Sequence, residues 1–105
     1  MSRTRPFTES IKERAKKSRG YGAALIAEAS ELYLGGEIDA AKMMLRDYIN
    51  ATVGFQELGE EIGKNPKSIM RMLSLKGNPT AKNFTALLAS LQKHEGIHLK
   101  VRSAG

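Results

Sequence analysis

Apolar positions recur every three or four residues along most of this chain, and Gly, Pro, Asn and Thr mark where one run stops and the next begins. The clearest run is "EIDAAKMMLRDYINATV", in which Ile38, Ala41, Leu45, Tyr48, Ile49 and Val53 fall on one broad helical face. Ahead of it, "AALIAEASELYL" repeats Leu25, Ala29 and Leu32 at helical spacing and stops at Gly35-Gly36. After it, Gly54 opens "FQELGEEIG", a short helix with Leu58 and Ile62 on its inner side, and Gly63 ends it. Asn65 then suits an N-cap, since its side-chain oxygen can accept an early backbone N–H, and Pro66 suits the first helical position, where no donor is needed. Ile69, Met72 and Leu73 face inward in the helix that follows. Beyond "KGNPT", Thr80 caps "AKNFTALLASLQKHEG", with Phe84, Leu87, Leu88 and Leu91 as its stripe and Gly96 as its end. Near the start, Thr8 can cap a short helix to about Ser18 with a thin stripe of Phe7, Ile11 and Ala15. Only the ending changes period. In "IHLKVRS", Ile97, Leu99 and Val101 alternate with His98, Lys100 and Arg102, which predicts one short β-strand.

The pattern therefore predicts an all-α fold of five to six helices with a short C-terminal strand. A chain of 105 residues suits a single domain. Within it we distinguish N-terminal helices (1–36), a helical core (37–96) and a terminal strand and tail (97–105). There is no cysteine, so disulfides and thiolate chemistry are excluded, in keeping with a reducing cytoplasm. No apolar run approaches the roughly 20 residues that cross a bilayer, and the basic start is not followed by a signal-peptide core; a soluble cytoplasmic protein with no membrane partner is expected.

Charge divides the chain into blocks. Residues 1–20 hold seven Lys/Arg against two acidic residues, residues 21–63 two against eight, and residues 64–105 eight against one. The sign reverses at the turn between the two short helices. A basic C-terminal part suits a polyanion, because each Lys or Arg near a phosphate releases a condensed counterion; solvated helix faces account for the same counts.

Two short helices, a tight glycine turn and an apolar set fixing their crossing are the ingredients of a helix-turn-helix. In that reading the second helix enters the major groove. Lys67, Ser68 and Arg71 lie on the side left free by Ile69, Met72 and Leu73, where Lys and Arg can donate to guanine and a hydroxyl can donate or accept; Met70 can touch a thymine methyl. Lys64, Asn65, Lys76, Asn78, Thr80 and Lys82 flank that helix and suit phosphate contacts that set its register. The competing account of the same stretch is a turn joining two core helices. Met43 and Met44 are read as packing. His94 and His98 have no carboxylate pattern around them in sequence that resembles a metal site or a base–nucleophile pair, so no metal, cofactor or enzymatic activity is expected.

The segment "FQELGEEIGKNPKSIMRMLSLKGNPTAKNFTALLASLQKHEGIHLKV" resembles the helix-turn-helix of the lambda-repressor-like (Xre) superfamily, and more closely the antidote, or antitoxin, proteins of bacterial addiction modules. The matching positions are Leu58, Gly59, Gly63, Asn65, Ile69, Leu73, Gly77, Asn78, Pro79, Phe84, Leu87, Leu88, Leu91 and the alternating end, with "LSLKGNPT" the most specific part. Phe55 departs from the pattern where a polar phosphate-contacting residue is common, and Gly59 where alanine is usual. The resemblance implies a repressor that binds a palindromic operator in double-stranded DNA as a homodimer and neutralises a small basic toxin. The alternatives are a stand-alone transcription regulator of the same fold and, from a different class, a small basic ribonuclease toxin, which would be largely β.

Overall fold

The computed structural model describes residues 20–105, which form five helices. The helix expected between Thr8 and Ser18 lies outside the described residues. Helix α1 (Tyr21–Leu34) buries Gly22, Leu25, Ile26 and Ala29. Leu32 of the predicted stripe is half-buried, and Ile26, which the stripe left out, is completely enclosed. The glycine pair stops the helix as expected: the Gly35 N–H donates to the Glu31 carbonyl and the Glu37 N–H to the Leu32 carbonyl. Three residues then lead into α2 (Ile38–Ala51), and so short a link makes α1 and α2 a helical hairpin.

Helix α2 buries Ala41, Leu45, Tyr48 and Ile49, the face read from the sequence, together with Lys42. It is followed by α3 (Phe55–Ile62), α4 (Pro66–Met72) and α5 (Ala81–Glu95). Of the predicted side-chain caps, the two that fall among the described residues form. Asn65 accepts from the Lys67 N–H at 2.8 Å, with Pro66 in the first turn of α4, and Thr80 accepts from the Asn83 N–H at 3.1 Å. Phe55 departs from the resembled pattern for a packing reason: it is buried in the core rather than turned outward.

The turn between α3 and α4 depends on two glycines for different reasons. Gly63 ends α3 at φ 70°, a left-handed conformation open to glycine and costly for other residues. The chain then folds back so tightly that a Cβ on Gly59 would lie 2.5 Å from the Lys64 carbonyl oxygen and 3.4 Å from the Pro66 ring. Glycine at 59 is what lets the turn close.

The core runs through all five helices, with Ile26, Leu45, Tyr48, Leu58, Ile69, Leu73, Phe84, Leu87 and Leu91 essentially inaccessible. Helix α5 packs against α1 and α3, and the Tyr33 and Phe84 rings stack with centroids 4.0 Å apart. Tyr48 donates its hydroxyl to the Glu95 carboxylate, joining α2 to the end of α5.

The expected strand at 97–102 does not form, and no strand is present among the described residues. Two of its three apolar positions are nevertheless used: Ile97 and Leu99 pack against the core, while Val101 is 83% exposed. Period-two burial needs only an extended chain lying on a surface. A strand also needs a ladder, and here the Leu99 N–H donates instead to the Gln92 side chain at 2.8 Å.

Candidate nucleic-acid interface

Helix α4 is held by its inner face. Ile69 and Leu73 are buried, and with about 100° between successive residues the positions opposite them are Lys67 and Arg71. Both are exposed, Met70 is exposed beside them, and Ser68 is half-buried. Helix α4 thus presents two cations, a hydroxyl and a thioether from one short element.

Beside α4 lies a surface cleft of about 640 Å³ lined by Lys64, Ser68, Arg71, Met72, Ser74, Lys76, Gly77, Asn78 and Asn83. It brings together five of the ten residues expected at a DNA site: Lys64, Ser68, Arg71, Lys76 and Asn78. Lys67, Met70, Asn65, Thr80 and Lys82 lie outside its lining, all of them exposed. Asn65 and Thr80 spend an oxygen on helix caps. Met72, Gly77, Ser74 and Asn83 complete the lining; the polar pair Ser74 and Asn83 was missed from sequence, where neither stands out from other polar residues of a loop and a first helical turn. Ser74 donates to the Arg71 carbonyl at 2.7 Å and so tightens the end of α4.

Among the described residues, no carboxylate lines the cleft. Among the described residues, none of Lys64, Lys67, Arg71, Lys76 and Lys82 forms an ion pair with an acidic group; the pair that does form is Lys42 with Asp39, 3.2 Å apart. Three of these cations, Lys64, Arg71 and Lys76, share the cleft, and with Lys67 on α4 they make a surface suited to an external polyanion.

Lys42 is a buried neighbour of the cleft that the pattern did not flag. Only 2% exposed, it donates from Nζ to the Gly77 carbonyl at 2.7 Å and the Leu75 carbonyl at 3.3 Å, in the loop that leaves α4.

The fold also places His94 of α5 near Glu57 and Glu61 of α3, their potential ligand atoms within 4.8 Å of one another, a proximity that one-dimensional spacing did not reveal. All three are exposed, and Ser90 donates to Glu61 at 2.7 Å. Surface carboxylates beside a histidine do not by themselves define a metal centre.

No helix among the described residues is long and apolar enough to cross a membrane. Comparison with protein-family models, with curated proteins and with solved structures yields no match.

Proposed function

We propose that this chain is a sequence-specific DNA-binding repressor in which α3, the Gly63 turn and α4 act as a helix-turn-helix, with α4 entering the major groove. The observation that carries this reading is the pair Lys67 and Arg71, exposed directly opposite the buried Ile69 and Leu73, next to a cleft that among the described residues is lined by Lys64 and Lys76 and by no acid. Lys67, Ser68 and Arg71 read base edges, with Met70 against a thymine methyl; Lys64, Lys76 and Asn78 grip phosphates along the cleft, and Asn65, Thr80 and Lys82, outside its lining, add phosphate contacts that set the register. A seven-residue helix makes few base contacts, so two copies reading half-sites about one helical turn apart supply the required affinity.

The second part of the proposal is that the repressor is the antitoxin of an addiction module and neutralises a small basic toxin. It rests on the resemblance carried by "LSLKGNPT" and on the acidic stretch 21–63, which complements a basic partner.

A gel shift on the DNA upstream of its own gene, at two salt concentrations, tests the first part. Wild type should bind with an affinity that falls steeply with salt, and the double variant Lys67→Glu/Arg71→Glu should lose binding altogether while keeping its helical content. No preference for any sequence over background would end the DNA reading. Co-purification with the product of the adjacent gene tests the second part; persistent failure to capture one leaves a repressor without a toxin.

A further inference from the structure

The loop between α4 and α5 carries two of the residues assigned to phosphate, Lys76 and Asn78, yet it has little to hold it in shape. Within it, the Gly77 N–H donates to the Ser74 carbonyl at 3.0 Å, and the Ser74 N–H reaches back to Arg71 at 3.2 Å. Gly77 lies against the end of α4, where a Cβ would collide with the Arg71 and Met72 carbonyls. That crowding sets how near the loop comes. It leaves the carbonyls of residues 75 and 77 to be satisfied from elsewhere.

They are satisfied by Lys42. An ammonium has three donors and no acceptor, and this one meets three oxygens: the Leu75 and Gly77 carbonyls at 3.3 and 2.7 Å and Asp39 Oδ1 at 3.2 Å. A buried cation persists only where its protons are met in this way. Because carbonyls 75 and 77 are both drawn inward to the same nitrogen, Lys76 between them is kept on the outside, where it is exposed and lines the cleft. Lys42 itself is too deeply buried to reach DNA.

We propose that Lys42 is a positioning residue for DNA binding: by tying the backbone of residues 75–77 to α2, it sets Lys76 and Asn78 in register with the phosphates flanking the site of α4. This rests on the DNA-binding reading above. The cation acts through the backbone, so its contribution belongs to Lys76 and Asn78 and should vanish when they do.

The test uses the full chain carrying Lys42→Met with Asp39→Asn, a pair that leaves net charge unchanged and so separates loop order from bulk electrostatics. Three results are expected. In the free protein, amides of residues 74–78 exchange about tenfold faster or more, while those of α1 and α2 keep their protection. Affinity for the operator falls about tenfold, and the slope of log affinity against log salt shrinks by about one, the contribution of one phosphate contact. Adding Lys76→Ala to this background costs little further, although Lys76→Ala alone weakens wild type, because both changes remove the same contact.

If the paired variant does not fold, two other measurements decide. Lys42→Arg, which keeps a cation able to donate to both carbonyls, should retain operator binding, and the wild-type Lys42 ammonium should give a slowly exchanging nitrogen resonance. Rapid exchange of that resonance overturns the proposal. So does unchanged loop exchange in the paired variant, or a fully additive effect of Lys76→Ala. Failure of wild type to bind any DNA removes the function reading and this role with it, an outcome distinct from wild-type binding that Lys42 does not influence.

Discussion

An alanine at position 59 would favour helix α3 by about 1 kcal/mol, yet its Cβ would stand 2.5 Å from the Lys64 carbonyl. The collision is with backbone, which has no rotamer to change, and overpacking of this kind costs about 1–3 kcal/mol. Gly59→Ala should therefore lose up to about 2 kcal/mol net in urea denaturation, with the α3–α4 turn loosened first. Tyr48 presents a different balance. Burial, and after it the hydrogen bond and charge of Glu95, push its hydroxyl well above the usual tyrosine value of 10.0. The folded state holds this proton more tightly than the unfolded chain, so the stability it contributes is complete below about pH 10 and declines as pH rises beyond that. Tyr48→Phe should flatten the fall in stability above pH 10 and lower stability at neutral pH by about 1–2 kcal/mol through the lost bond to a carboxylate. Tyr48 was legible in the sequence as core, whereas its partner, 47 positions away, was not. For Lys42 a signal did exist. It occupies the register of Ile38, Ala41, Leu45 and Ile49, and a lone lysine on an apolar face is a residue whose charge needs a partner.

Helix α4, with seven residues, is too short to persist on local hydrogen bonds, since isolated helices below about 12–15 residues are marginal in water. It is held by its cap and by the burial of Ile69 and Leu73. Asn65→Ala should cost about 1 kcal/mol, fray the first turn and weaken operator binding more than global unfolding alone would, because that turn carries Lys67 and Ser68. The helix limits were readable because each end is written in local chemistry: Asn65-Pro66, Thr80, Gly63 and Gly96 act within a few residues of themselves. The C-terminal strand was misread because alternation reports which side of a segment is wet, not whether another backbone lies alongside. Truncation after Leu99 should accordingly leave thermal stability within about 0.5 kcal/mol of wild type, as the deleted residues are exposed.

Across the described chain, the acidic block coincides with α1, α2 and α3 and the basic block with α4, α5 and the tail, so that charge reverses within the α3–α4 turn. Sequence counting located that reversal; the fold then gathered Lys64, Arg71 and Lys76 around one cleft, which no spacing rule could specify. Lys64→Ala, at the reversal itself, should weaken binding to all DNA sequences alike and reduce the salt slope by about one. The stacking of Tyr33 on Phe84 and the bond from Tyr48 to Glu95 have a further consequence, in the order of synthesis. The hairpin of α1 and α2 emerges from the ribosome about thirty residues before α5 begins to follow, and until that helix arrives Tyr33 and Tyr48 lack their partners on it. For that interval the nascent chain is a sticky half-protein, and whatever shortens the wait protects it from aggregation.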